Sequence, residues 1–177
     1  DVVVTGAAVQ LRDTNGIDLG ASTITGALTV TAGSDIVDSG DLDIGGIATF
    51  NNTATGANII LDENNTFDNQ VIYQANGGSG TFGNVFFRDT GAVTVNSTTA
   101  SDGNLRLHNT GTEGTIGGYL KVTSGGAVTQ SGALDVTGIT TITATGQDVT
   151  LTTAANDFKN DVVVTGAAVQ LRDTNGI

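Results

Sequence analysis

The sequence predicts an all-β protein wound as a right-handed parallel β-helix (a β-solenoid), with about 23 residues per coil and about seven coils per 160-residue repeat. Three observations carry the prediction. The stretch DVVVTGAAVQLRDTNGI at Asp1–Ile17 returns unchanged at Asp161–Ile177, an offset of 160 residues. Apolar triplets restart at Val2, Ile24, Ile47, Val71, Val93, Leu120, Ile142 and Val162, a beat of mostly 22 to 24 residues. The composition joins 26 Gly to no Pro. Pro would remove a ladder donor from a central strand, whereas Gly serves the corners between strands.

Taken in order, the chain opens on one coil, Asp1–Ile17, and then alternates apolar and polar residues in short strands. These are ALTVT (27–31), DLDIG (41–45), NIILD (58–62), ALDVT (133–137) and DVTLT (148–152), separated by Gly, Asn, Asp or Ser. Period-2 alternation puts one face inward and one outward. A single coil cannot bury its inward Val, Ile and Leu alone. Stacked coils bury them in one column while each backbone bonds to the next.

Fainter repeats lie inside the large one. Gly26–Phe50 matches Gly118–Ile142 at offset 92, with Leu28 on Leu120, Val30 on Val122, Gly33 on Gly125, Ile36 on Val128 and Leu42 on Leu134. Thr53–Val71 parallels Thr143–Val162, and VQLRDT (9–14) echoes VFFRDT (85–90) at offset 76. The change from 76 to 92 places an insertion of about 16 residues at Ser101–Ile116. The expected organisation is therefore a unit over 1–160, the start of an identical unit over 161–177, and an inserted loop or partial coil over 101–116.

Composition excludes several function classes. Eighteen acidic residues face six Lys and Arg, for a net charge of -12. Neither nucleic acid nor an anionic membrane surface is an expected partner, because both need a basic face. The absence of Cys removes disulfide, thiolate and zinc-finger chemistry. No run of 18 apolar residues is available for a membrane-spanning helix.

Candidate chemistry is sparse. The one histidine, His108, reads as a solvated loop residue with no nucleophile and orienting partner near it. The paired carboxylates Asp35/Asp38 and Asp41/Asp43 raise the idea of a polysaccharide-acting β-helix enzyme. The offset-92 copy of Asp41/Asp43 is Ala133/Asp135, which loses one acid, and no catalytic residue is assigned. Calcium is the better candidate ligand. Asp13, Asn15 and Asp18 offer three oxygen side chains at a corner, and Asp62–Asn65 with Asp68 offers a second cluster. The same residue types also cap corners by bonding their own backbone. Irregular Thr-x-Thr spacing argues against a flat ice-binding face, and the sequons at Asn51, Asn64 and Asn96 matter only in a glycosylating host. No cofactor is expected.

LTVTAGSDIVDSGDLDIGGIATF (28–50) and TTITATGQDVTLTTAANDFKNDVVVTGAAVQLRDTNGI (140–177) are similar to the shafts of filamentous-haemagglutinin-type large exoproteins of bacteria. The resemblance implies secretion through a partner outer-membrane pore, an extended fibre, and an adhesion or matrix role at the cell surface. The function expected is that of a structural segment in a giant tandem-repeat extracellular fibre. Its partners are neighbouring repeats or other copies along the fibre axis. A glycan- or calcium-binding adhesin module is the alternative.

Overall fold

In the computed structural model, which describes residues 1–78, 80–96, 105–108 and 114–177, the chain is a β-solenoid. Its described strands are all paired in parallel, and the described residues form no α-helix, only a 3-10 turn at Asn76–Gly78. Two broad walls face each other. The seven-stranded wall runs Ile17–Leu19, Ile36–Asp38, Ile59–Leu61, Val85–Asp89, Leu120–Ser124, Thr140–Thr143 and Val162–Thr165. The nine-stranded wall runs Val9–Arg12, Leu28–Ala32, Ala48–Asn52, Val71–Ala75, Leu105–His108, Val93–Asn96, Val128–Ser131, Val149–Leu151 and Val169–Leu171.

The in–out alternation read from the sequence is the alternation that forms the core. Leu28, Val30 and Ala32 point in while Thr29 and Thr31 between them are half-exposed. Inward Ile36, Ile59, Val85 and Leu120 stack in register up one wall. Leu28, Ala48 and Val71 do the same up the other. The result is a continuous apolar column rather than separate cores.

A third, narrower wall closes the coil, and it changes sides. Thr5–Gly6, Ser22–Ile24, Leu42–Ile44 and Thr66–Phe67 form a four-stranded edge sheet. The last three follow a strand of the seven-stranded wall, and all four precede one of the nine-stranded wall. Thr115–Ile116, Asp135–Val136 and Asp157–Phe158 form a three-stranded edge sheet that comes after the nine-stranded wall and before the seven-stranded one. All strands on both broad walls run parallel, so the winding sense never changes, and the two edge sheets therefore lie on opposite edges. The offset-92 repeat has the same cause: Leu28–Ala32 belongs to the nine-stranded wall and its counterpart Leu120–Ser124 to the seven-stranded one. The module recurs half a turn out of phase.

The change of side occupies the turn from Thr66 to Asp89. Phe67 lies on the first edge, and Phe82, bridged to Ile116, begins the second. That turn carries closure on both edges, and large rings gather in and beside it. Phe50, Tyr73, Phe82 and Phe87 are fully buried. Phe67 and Phe87 stack at 5.5 Å between centroids, and Tyr73 meets Phe50 and Phe87 edge-on at 5.8 and 6.1 Å.

Beside this turn the nine-stranded wall holds one strand more than the alternation of walls requires. Leu105–His108 sits between Val71–Ala75 and Val93–Asn96 and has no counterpart opposite, where Val85–Asp89 and Leu120–Ser124 are direct neighbours. It lies within Ser101–Ile116, of which positions 101–104 and 109–113 fall outside the described residues. Most steps between stacked strands are 18 to 23 residues, whereas the step from Val85 to Leu120 takes 35.

The identical ends fall on the same walls. Val2 bridges Leu19 on the seven-stranded wall, and Val162 pairs with Thr140 on it. Val9 and Val169 both lie on the nine-stranded wall. Seven turns separate them.

Candidate functional site

The polar residues that could carry chemistry gather at the corners, where a carbonyl or carboxylate oxygen meets the backbone of the neighbouring coil. One corner, at the entry to the seven-stranded wall, forms a ladder. Asp35 Oδ1 accepts the N–H of Asn58 at 2.8 Å, and Asp35 Oδ2 accepts the Asn58 side-chain amide at 2.9 Å. Asn58 Oδ1 then accepts the N–H of Asn84 at 2.7 Å, and Asn84 Oδ1 accepts that of Tyr119 at 2.9 Å. Each side chain thus satisfies the amide just before the next strand, an orphan donor in any corner that bulges from the ladder.

A second corner does this inside the core. Asn65 is fully buried. Its Oδ1 accepts the N–H of Leu42 at 2.8 Å, and its Nδ2 donates to Asp38 Oδ2 at 2.7 Å. Asp38, 9% exposed, also accepts the N–H of Asp62 at 3.0 Å and of Glu63 at 3.4 Å. Burial raises the Asp38 carboxyl above the usual aspartate value. The Asn65 side chain and the two amides oppose that rise, and the Asp62 charge adds to it. The opposite half of the unit repeats the device with a neutral partner. Buried Asn156 accepts the N–H of Leu134 at 3.0 Å and donates to Gln130 Oε1 at 2.8 Å. Alternation flagged neither Asp38 nor Asn65 as inward, because Asx residues beside a turn read as solvated turn residues; only their burial reveals the role.

The sequence-derived calcium residues are distributed as follows. Asp13 and Asn15 share the corner after Val9–Arg12, where Asp13 Oδ1 accepts the Asn15 N–H at 2.9 Å; both are exposed. Asp18 lies beyond the corner, in Ile17–Leu19, opposite Val37. The second copy shows the same corner with a coil beneath it. Asp173 Oδ1 accepts the N–H of Phe158 at 2.9 Å, Asp173 Oδ2 accepts that of Asn175 at 3.1 Å, and the Asn175 amide donates to Asp157 Oδ1 at 3.1 Å. These bonds, the one to Phe158 foremost, hold the Asp173 carboxyl below its usual value. The carboxylate oxygens at this corner are directed at amides. Among the described residues no three His, Cys, Asp or Glu side chains converge as a metal site.

The remaining candidates resolve in the same way. In the Asp62–Asn65 cluster the amides of Asp62, Glu63 and Asn64 point at Asp38 and Asp41, and Asp62 pairs with Lys121 at 2.8 Å. Asp41 and Asp43 are both exposed on the first edge, on the same face of the chain, whereas Asp35 is half-buried at a corner and Asp38 faces inside, so Asp35 and Asp38 do not share a face. His108 is not in a loop: it ends the strand Leu105–His108, half-buried, with Nδ1 3.1 Å from Arg106 Nη2. The outer side of the seven-stranded wall carries a shallow recess walled by Phe86, Tyr119, Lys121 and Ile139, with the Lys121 ammonium 5.2 Å from the Phe86 ring.

A family model described as repeats of unknown function (DUF5649) matches residues 6–74 and 112–165. The two matched stretches correspond to the two halves of the unit, one on each edge, and the unmatched 75–111 contains Phe82, where the second edge begins, and the extra strand. No curated protein and no solved structure matches the chain.

Proposed function

The chain belongs to the family of repeats of unknown function DUF5649, and from that premise we propose that it is a structural segment of a long tandem-repeat shaft, built to span distance rather than to transform a substrate. The observation that supports this reading is the return of Asp1–Ile17 as Asp161–Ile177 on the same walls after seven turns. Further units stack on such a period without changing the cross-section. At about 4.8 Å per parallel strand, each unit lengthens the shaft by about 34 Å.

The location we propose is the bacterial cell surface or extracellular matrix, in the manner of filamentous-haemagglutinin-type exoproteins. The similarity of 28–50 and 140–177 to those shafts supports it, and so does a net charge of -12, which keeps neighbouring fibres apart. Electron microscopy of single chains carrying two, four and eight units tests the proposal. Rods of constant width that grow by about 34 Å per unit are expected. Compact particles, or a width that grows with unit number, would overturn it.

A further inference from the structure

The recess on the outer side of the seven-stranded wall lies across three stacked coils. Phe86 pairs in register with Lys121 and Lys121 with Thr141, while Tyr119 and Ile139 stand just before the same strands. Coils continue on both sides of it, with Ile60 paired to Phe86 and Val163 to Thr141. Its volume is about 180 Å³, below the range of drug-sized pockets and suited to about one six-membered ring. Tyr119 is 50% exposed. Its ring lies against bare backbone of the next coil, because a Cβ at Gly138 would strike it. The Lys121 ammonium rests over the Phe86 ring and bonds Asp62 Oδ2, so a balanced ion pair borders the recess.

The other half of the unit supplies a comparison. At offsets of 76 and 92 residues, Phe86, Tyr119, Lys121, Ile139 and Thr141 correspond to Gln10, Ala27, Thr29, Ile47 and Thr49. There Gln10 pairs with Thr29 and Thr29 with Thr49, the same arrangement on the nine-stranded wall. The Ile and the last Thr are kept in both halves. The two rings and the lysine are not demanded by the scaffold, which forms equally with Gln, Ala and Thr in their places. Three departures from the repeat therefore meet at one point on the surface.

We propose that this recess binds a neutral pyranose ring of a polysaccharide. Such a ring has a face of C–H groups and a rim of hydroxyls. The face meets Tyr119, Phe86 and Ile139. Rim hydroxyls donate to the Asp62 carboxylate, accept from the Lys121 ammonium, and do either with the Thr141 hydroxyl. The Lys121–Asp62 pair leaves no net charge beside the recess, and a chain of net charge -12 repels an acidic glycan. An apolar side chain of a protein partner would desolvate that ion pair without answering it. The site is complete within one unit. Stacked units repeat it on the same wall about every 34 Å, and only that spacing rests on the shaft reading.

Tyrosine emission reports the site directly. The chain has no Trp, and of its two tyrosines Tyr73 is fully buried, so an added ligand acts on Tyr119. Neutral oligosaccharides of glucose, galactose, mannose and N-acetylglucosamine are titrated into the chain, with oligogalacturonate as the acidic comparison. A saturable change with at least one neutral sugar, and weaker binding of oligogalacturonate, is expected. Calorimetry then compares variants. Tyr119→Ala/Lys121→Thr introduces the residues that the first half carries at Ala27 and Thr29, which the scaffold accommodates there, and should weaken binding about tenfold or more. Tyr119→Phe keeps the ring and should bind within about twofold of the wild type. Binding of no neutral sugar, equal or tighter binding of oligogalacturonate, undiminished affinity in the double variant, or as large a loss in Tyr119→Phe each overturns the proposal. Rods that still grow by unit alongside any of these results leave the shaft reading standing.

Discussion

Asn65 accepts the backbone N–H of Leu42 at 2.8 Å from within a fully buried corner, and it does so while holding the carboxylate of Asp38 with its own amide. One side chain thus satisfies a strand-entry donor and a buried acid in the preceding coil. Asn65→Leu leaves the Leu42 N–H without a partner and removes a donor from Asp38. Each loss costs about 1–3 kcal/mol by the usual desolvation of an unpaired buried group. Urea denaturation of Asn65→Leu and of Asn156→Leu should show destabilisation of this size in both halves of the unit. A change below about 0.5 kcal/mol in either would show that the corner relaxes to water.

Asp38 gives the fold a pH dependence of definite sign. Its carboxyl titrates above the unfolded value of 3.8 because burial disfavours the charge. The native state therefore binds the proton more tightly than the unfolded chain, and stability falls as pH rises from 3.8 through the raised native value. Replacing the acid by Asn should remove that part of the slope. The expected measurement is a difference in denaturation midpoint between wild type and Asp38→Asn that changes across this window and is constant above it. A flat difference throughout would exclude a titrating Asp38.

Tyr73 crosses the column to donate its hydroxyl to the Phe86 carbonyl at 3.1 Å, and full burial pushes its own ionisation well above the usual tyrosine value. Tyr73→Phe keeps the ring contacts with Phe50 and Phe87 and loses one neutral hydrogen bond, about 1 kcal/mol. Tyr73→Ala opens a cavity in the core and should cost about 3–5 kcal/mol. Near-equal values in the same denaturation assay would mean that the rings do not carry this part of the core.

Gly33 and Gly125 coincide in the offset-92 repeat for a reason the stack supplies. A Cβ at Gly33 would be driven into the carbonyl oxygen of Thr14, and one at Gly125 into that of Thr90. The coils approach there backbone to backbone. Gly33→Ala should cost about 1–3 kcal/mol or shift the corner out of register. Gly56, by contrast, has φ +77° and open space around it, so Gly56→Ala bears only the positive-φ strain.

The Asp173 carboxylate accepts the Phe158 amide, whereas the Asp13 carboxylate accepts the Asn15 amide of its own corner. Hydrogen exchange at the Phe158 amide should quicken in Asp173→Ala and stay unchanged in Asp13→Ala. If calcium rather than backbone amides organised this corner, chelator would reproduce the Asp173→Ala effect in the wild type.

The solenoid was legible because stacking turns a local pattern into a global one. Leu28, Val30, Ile36 and Leu42 announce themselves by alternation and by their offset-92 partners Leu120, Val122, Val128 and Leu134, and all eight are buried. Alternation states in or out but not which wall, so the half-turn shift between the two modules left no trace in the spacing. Inward Asp38, Asn65 and Asn156 were hidden because a corner Asx looks the same in sequence whether it faces water or a neighbouring coil's amide. The clustering of rings at Phe50, Phe67, Tyr73 and Phe87 joins side chains of neighbouring coils, a relation no single coil displays.

The change of edge within each unit has a geometric consequence. A column with its narrow wall always on one side is a girder with a keel, its two flanks unequal along the whole length. Here Thr5–Gly6 to Thr66–Phe67 carry the keel on one flank and Thr115–Ile116 to Asp157–Phe158 carry it on the other. The narrow wall is thus balanced between the two flanks within each unit, and the asymmetry that remains is the extra strand Leu105–His108 on one broad wall.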